Sequence, residues 1–144
     1  MGLDAVVYKN IRTLEPGLRE RIRIADSATG QLEFLTQGPP DPNYNDELLA
    51  VGVRIGNAAL VDWLREEFRS RWDGRCQGIL ETVLFSSSHS GDFIALGELD
   101  RIRREIEECD LGGRLLPQQL TGFFEAIRKL LDAAEAEGNP IVFV

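Results

Sequence analysis

The sequence has few of the residues on which metal sites and disulfide-rich folds depend. It contains one histidine, His89, and two cysteines, Cys76 and Cys109, which are far apart in the chain. A structural zinc site uses four cysteine or histidine ligands, and a disulfide scaffold uses several paired cysteines, so the sequence fits neither class. We expect the two cysteines to be free thiols, and we expect no metal and no other cofactor.

Positive charge is also scarce. The chain carries 16 Lys and Arg residues against 24 Asp and Glu residues, which gives a net charge of −8 at pH 7. The arginines of segment 98–105 are interleaved with acidic residues, so they form no basic stripe. This charge balance opposes binding to nucleic-acid phosphates and to anionic membranes, and it suits a basic protein partner. We therefore expect no nucleic-acid partner and no membrane partner.

Long apolar runs are absent as well. No run approaches the roughly 20 residues that span a bilayer, and residues 1–10 lack the charged and apolar regions of a signal peptide. A chain of 144 residues with 43% hydrophobic content is long enough to bury one sizeable core. The sequence therefore predicts a cytoplasmic protein with a single domain over residues 1–144.

Short β-rich segments and turn-forming residues dominate the first third of the chain. Residues 3–8 are apolar and β-rich, which predicts a strand, and residues 21–25 and 31–36 alternate around a DSATG turn, which predicts a hairpin. Residues 37–46 contain three prolines and predict a loop. Residues 49–55 place apolar side chains at every second position, which favours a strand over a short helix.

The remaining two thirds of the chain contain three helical patterns and two further β-rich segments. Apolar side chains recur at helical spacing after Asn57, from Leu99 to Cys109, and from Pro117 to Gly138. Residues 79–85 and 141–144 are short, apolar and β-rich, and each predicts a strand. The order of elements predicts an α+β fold with a mainly antiparallel or mixed sheet packed on about three helices.

The only histidine lies in a polar segment, SSSHSGDF, at residues 86–93. A hydrolytic triad needs a serine oxygen at one imidazole nitrogen and a carboxylate at the other. If the protein is an enzyme, the candidate catalytic residues are His89, Ser88 and Asp92. His89 is then the general base or donor, Ser88 and Ser90 hydrogen-bond to the ligand, and Asp92 is the orienting carboxylate. The sequence has no GxSxG nucleophile elbow, and three triad members seldom come from one short segment.

Two other interpretations of this segment remain open. As a binding loop between a strand and a helix, it would bind an anion through its hydroxyl and backbone N–H groups, and the ligand-binding candidates are then Ser88, His89, Ser90, Gly91 and Asp92. As a structural turn, its serines, glycine and aspartate would hydrogen-bond to their own backbone, with the histidine packed or on the surface. The structural turn is the interpretation that we favour.

Four segments of the chain, MGLDAVVYKN, VRIGNAALVDWLREEF, SHSGDFIAL and NPIVFV, have a distinctive appearance together. In these segments the chain resembles a group of small, uncharacterised bacterial proteins that begin MGLD and carry RIGN and HSGD segments. The resemblance covers most of the chain. It implies a bacterial cytoplasmic protein with one continuous domain, and it implies no activity and no site residues.

Two functions from different classes fit the sequence. The first is a non-catalytic interaction module, such as an inhibitor, an immunity-like protein or an adaptor, that binds another protein or a second copy of itself. The small size, the acidic balance, the acidic loop at residues 41–47 and the absence of catalytic motifs favour it. The alternative is a small-molecule-binding or anion-binding protein, or a hydrolase, that uses the turn from Ser86 to Asp92 around His89.

Overall fold

The chain folds into a four-stranded antiparallel sheet with helices on one face, and a separate two-stranded hairpin lies beside it. The computed structural model describes residues 2–35, 47–110 and 116–144. This architecture confirms the predicted α+β fold. The strands are β1 Gly2–Tyr8, β2 Ile22–Asp26, β3 Gln31–Phe34, β4 Leu49–Asn57, β5 Phe93–Ile94 and β6 Ile141–Phe143, and the α-helices are α1 Pro16–Arg19, α2 Ala58–Arg71, α3 Gln77–Thr82, α4 Leu99–Asp110 and α5 Gln118–Glu137.

The order of strands in the four-stranded sheet is β4-β1-β6-β5, and every neighbouring pair is antiparallel. Ala5 at the centre of β1 lies opposite Val53 of β4 and Phe143 of β6. Since side chains alternate between the two faces of a strand, these three residues share the face that packs on the helices. Val6 lies on the other face, with Gly52 and Val142 as its cross-strand neighbours.

Helices α2 and α5 cover the inner face of the sheet, and aromatic side chains join them. Phe68 of α2 is fully buried, and its ring lies edge-on to Phe123 and Phe124 of α5 at centroid distances of 5.4 and 6.0 Å. Trp72 lies beside Phe68 at 4.9 Å. Such edge-to-face contacts add to the stabilisation that comes from burying the rings.

The helix boundaries expected at Asn57 and Gly138 are those that the structure shows. The Asn57 side chain accepts a hydrogen bond of 2.8 Å from the N–H of Leu60, so it caps α2. Gly138 ends α5 with a φ of 68°, and its N–H donates to the carbonyl of Ala134 at 2.8 Å. Both ends depend on neighbours in the sequence, which is why the pattern predicts them.

The hairpin and α1 form a small second core around four buried residues, Leu14, Ile22, Leu32 and Leu48. The hairpin turn lies against Asn139 at Gly30, which has a φ of 77°, and a Cβ atom there would lie 2.6 Å from the amide of Asn139. Asn139 in turn donates from Nδ2 to the carbonyl of Tyr8 at 2.8 Å. A glycine at position 30 therefore allows the hairpin to approach the end of α5.

One predicted strand is wrong. Segment 79–85 was expected to be extended because it is apolar and β-rich, but residues 77–82 form helix α3. The polar segment around His89 consequently follows a helix and precedes the short strand β5, which the sequence pattern did not predict. Helix α1 was also not predicted, and the predicted loop at residues 37–46 lies outside the described residues. No helix within the described ranges has both the length and the apolar character needed to cross a membrane.

We predict that Phe68→Ala lowers the free energy of unfolding by about 3–5 kcal/mol, because it removes a fully buried ring and leaves a cavity between α2 and α5. Urea denaturation followed by circular dichroism measures the change. Phe93→Ala is the matched control, since that ring is 44% exposed, and it should cost clearly less. Equal losses for the two variants would contradict this account of the core.

Candidate functional site

The segment that contains the histidine is held between the end of α3 and strand β6. The N–H of Gly91 donates to the carbonyl of Phe143 at 2.9 Å, and the N–H of Phe143 donates to the carbonyl of Asp92, also at 2.9 Å. Gly91 has a φ of 97°, a conformation that favours glycine. Two backbone hydrogen bonds to Phe143 therefore fix the turn to the last strand.

The His89 side chain is buried and packs between two aromatic rings. Its ring centroid lies 4.2 Å from that of Phe85 and 4.2 Å from that of Phe143. Its Nε2 atom lies 2.9 Å from the carbonyl oxygen of Val83. Because a carbonyl oxygen only accepts hydrogen bonds, Nε2 carries a proton and donates it. His89 thus joins the end of α3 to the turn and to β6.

The second ring nitrogen of His89 faces Asp92. Nδ1 lies 3.3 Å from the Asp92 carboxylate, whose side chain is 58% exposed. Nδ1 is buried and has no hydrogen-bond partner among the described residues. An imidazole that is protonated on Nε2 alone has a lone pair at Nδ1, and a carboxylate has no proton to donate to it. Nδ1 can therefore lie close to Asp92 without forming a hydrogen bond. The contact becomes an ion pair only when the ring is protonated at both nitrogens.

The hydroxyl of Ser86 bonds to the backbone of its own turn. The Ser86 hydroxyl donates to the carbonyl of Ser88 at 3.1 Å and accepts from the N–H of Ser88 at 3.2 Å. Ser88 and Ser90 are exposed, whereas His89 is buried. The structure brings His89 and Asp92 together, but it gives no serine hydroxyl at an imidazole nitrogen within the described chain. In this arrangement the Ser86 hydroxyl bonds to the turn and the His89 ring is packed in the interior.

Glu105 of α4 is a buried acidic residue that the sequence reasoning missed. Its carboxylate accepts hydrogen bonds from the N–H groups of Gly78 at 3.1 Å and Ile79 at 3.0 Å. Since the first N–H groups of a helix lack partners within it, Glu105 caps α3 from a neighbouring helix. Arg101 supports the carboxylate, with Nε 3.3 Å from Oε2. The sequence feature that could have identified Glu105 is its position next to Ile106 on the apolar side of α4, where an acidic residue is expected to need a partner.

The free edge of β4 is a second surface that the sequence did not indicate. β4 has nine residues and lies at the edge of the sheet, and no described strand pairs with its other side. A shallow groove of about 610 Å³ lies over the paired strands β1 and β4, lined by residues 4–6 of β1 and 49–54 of β4. Gly52 lies in the middle of this groove and contributes no side chain. The surface combines a strand edge that no described strand pairs with and the apolar side chains of Val6 and Leu49 near Gly52.

A second concave region lies between the end of α2 and α3. It has a volume of about 660 Å³, and its lining includes Arg69, Gln77, Leu80 and the half-exposed ring of Phe85. Arg69 forms an ion pair with Glu66 on its own helix, at 3.2 Å. Among the described residues, no group of three or more histidine, cysteine or acidic side chains is placed to hold a metal ion.

Comparison with known proteins gives no assignment for this arrangement. No protein-family model, no curated protein and no solved structure matches the chain.

We predict that His89→Ala lowers the free energy of unfolding by about 2–4 kcal/mol, because it removes a buried ring and leaves the Val83 carbonyl without its donor. His89→Phe should cost less, since it keeps the packing between Phe85 and Phe143. Ser88→Ala, at an exposed position, should stay within about 0.5 kcal/mol of the wild type. Urea denaturation measures all three, and a Ser88 effect as large as that of His89→Ala would contradict the structural role of the ring.

We also predict that Gly78→Ala and Glu105→Ala are not additive. A Cβ atom at position 78 would collide with the Glu105 carboxylate, so each change disrupts the same contact. Each should lower the free energy of unfolding by about 1–3 kcal/mol, and the double variant should cost at least about 1 kcal/mol less than the sum. A double-mutant cycle in urea measures the coupling, and additive losses would show that Glu105 does not hold α3.

Proposed function

We propose that the chain is a non-catalytic protein-interaction module that binds an extended segment of a partner polypeptide along the free edge of β4. The observation that carries the proposal is the position of this nine-residue strand at the edge of the sheet. An edge strand presents backbone N–H and C=O groups that pair readily with a strand of another chain. The backbone bonds supply affinity, and side chains at every second position supply specificity.

β4 lacks several of the features that usually prevent such pairing. Soluble proteins protect long edge strands with lysine, proline or inward-pointing charge. β4, LAVGVRIGN, has no lysine and no proline. Its one charged residue is Arg54, whose Nη1 atom lies 3.3 Å from the carboxylate of Asp4 and is thereby partly neutralised. The strand is therefore open to a partner by its composition as well as by its position.

The pairing of β4 with β1 leaves a regular segment in the middle of the strand. Ala50 and Ile55 have no opposite residue in β1, so the register shifts near each end of β4. Residues 51–54 between them pair one to one with residues 4–7. Because irregular pairing twists a strand and discourages addition, the regular central segment is where a partner strand fits best.

The groove over β1 and β4 suggests the chemistry of the partner. Its floor near Gly52 is formed by Val6 and Leu49, so an apolar side chain of the partner fits there. The net charge of −8 favours the approach of a basic polypeptide through long-range attraction. We therefore propose an extended partner segment with alternating apolar side chains and flanking basic residues. An inhibitor, an immunity-like protein and an adaptor would each use such a surface.

The alternative function at the His89 turn has less support from the geometry. One imidazole nitrogen is occupied by the Val83 carbonyl and the other faces Asp92, while Ser88 is exposed and the Ser86 hydroxyl bonds to the backbone of its own turn. A nucleophile and a base in contact are the minimum for triad chemistry, and the turn does not bring them together.

Native mass spectrometry of the protein isolated gently from its own cells tests the proposal. We expect the wild type to carry a second polypeptide that is absent from the denatured mass of the chain. Gly52→Lys should weaken this complex by about tenfold or more, because it fills the groove and places a charge on the edge strand. A Cβ atom at position 52 makes only ordinary contacts, 3.7 Å to Val6 and 3.9 Å to Leu49, so the variant should fold.

Gly97→Lys is the matched control, since it adds the same charge at an exposed glycine where a Cβ atom meets nothing within 4 Å. It should leave the complex intact. Hydrogen exchange should also show slower exchange of amides in 49–57 within the complex. A complex that survives Gly52→Lys with unchanged exchange in β4 would overturn the proposed site. A monomer with no bound polypeptide, or copies of this chain alone, would overturn the proposed function.

A further inference from the structure

Two thiols that are distant in the sequence contact each other in the core. Cys76 immediately precedes α3, and Cys109 lies in the last turn of α4. Their sulfur atoms are 2.6 Å apart. The two residues are only 1% and 5% exposed, and both are free thiols in this structure. The fold thus provides a buried dithiol, although the sequence gives no sign that the two cysteines meet.

The separation of the sulfur atoms distinguishes this pair from two cysteines that only fill space. A buried cysteine usually behaves as a small apolar residue. Here the two sulfur atoms lie well inside the distance of ordinary non-bonded contact. A disulfide bond is about 2.05 Å long, so a small approach of the two sulfur atoms separates the dithiol from a disulfide.

The surroundings make the two thiols chemically unequal. Either sulfur atom can be the donor in this hydrogen bond. The contact with Cys76 lowers the pKa of Cys109, burial and Glu105 raise it, and the charge of Arg75 lowers it further. The same hydrogen bond, together with burial, raises the pKa of Cys76. Cys109 is also the more exposed of the two thiols, at 5% against 1% for Cys76, so we take it as the thiol that a small oxidant reaches first.

We propose that Cys76 and Cys109 form a reversible intramolecular disulfide when the protein meets a small hydroperoxide such as hydrogen peroxide. The Cys109 thiolate attacks one peroxide oxygen, the S–O bond forms as the O–O bond breaks, and the departing hydroxide takes up a proton to become water. The Cys76 sulfur then attacks the Cys109 sulfenic acid, and the S–S bond forms as the S–O bond breaks. The hydroxyl group leaves with the thiol proton as a second water, so one peroxide is reduced for each pair of thiols oxidised.

The size of the oxidant matters because the pair is buried. Hydrogen peroxide is close to water in size and needs only a narrow path to Cys109, which is the more exposed of the two thiols. The disulfide would close a covalent ring that contains α3, the turn around His89, β5 and α4. Closing a ring of this length restricts the unfolded chain and raises the stability of the fold. A dithiol reductant reverses the step by thiol–disulfide exchange.

Intact mass spectrometry with thiol labelling tests the proposal on the purified wild type. Reduced protein, denatured in the presence of N-ethylmaleimide, should take two labels. After treatment with a small excess of hydrogen peroxide under native conditions it should take none, and its mass should fall by two hydrogen atoms. The midpoint of thermal unfolding should rise by roughly 5–15 °C and return to its starting value with dithiothreitol.

Single variants test the order of the two steps. In Cys76→Ser the sulfenic acid of Cys109 should persist and react with dimedone. In Cys109→Ser the remaining thiol should react with peroxide at least about tenfold more slowly. Wild-type protein that keeps two labels after native peroxide treatment would overturn the proposal. A gain of oxygen atoms without loss of hydrogen would do so as well, and so would an oxidised form that melts no higher than the reduced form.

Discussion

The pairing of β1 on both of its edges is the constraint on which the rest of the structure depends. β4 binds one edge and β6 binds the other, so the inward residues Leu3, Ala5 and Val7 are fixed against the helices. A shift of one residue would turn these side chains away from the core. Helices α2 and α5 pack on the surface that this register creates. The same arrangement leaves β4 at the edge of the sheet, which makes the proposed interaction surface a consequence of the register.

The parts of the fold that local patterns determine could be predicted from the sequence. The alternation in 49–55 and the apolar stripe of 118–137 each contain enough residues to identify β4 and α5. Segment 79–85 fails because its short apolar run fits a strand as well as a helix. The deciding contact comes from Glu105, more than twenty residues further along the chain. A helix that is capped by a distant side chain leaves no signal in its own sequence.

The same distinction applies to the functional surfaces. The composition of 86–93 marks a polar turn, but the ring that packs on His89 from the far side belongs to Phe143 of β6. Its structural role therefore depends on the tertiary fold. The free edge of β4 depends on the strand order, and the contact between Cys76 and Cys109 depends on how α3 meets α4. None of these relations is local, so residue pattern alone could indicate candidates but not their arrangement.

The pairing of β1 with β6 also bears on how the molecule folds. Asn139, next to β6, donates to the carbonyl of Tyr8 at the end of β1 across 131 positions of sequence. Contacts between such distant segments carry a large loss of chain entropy before they contribute any stability, and they slow folding. β1 and β4 are closer in sequence, so they are expected to pair first. Until β6 pairs with β1, the edge of β1 opposite β4 has no partner strand. During this interval a newly made chain is most open to aggregation or to chaperone binding.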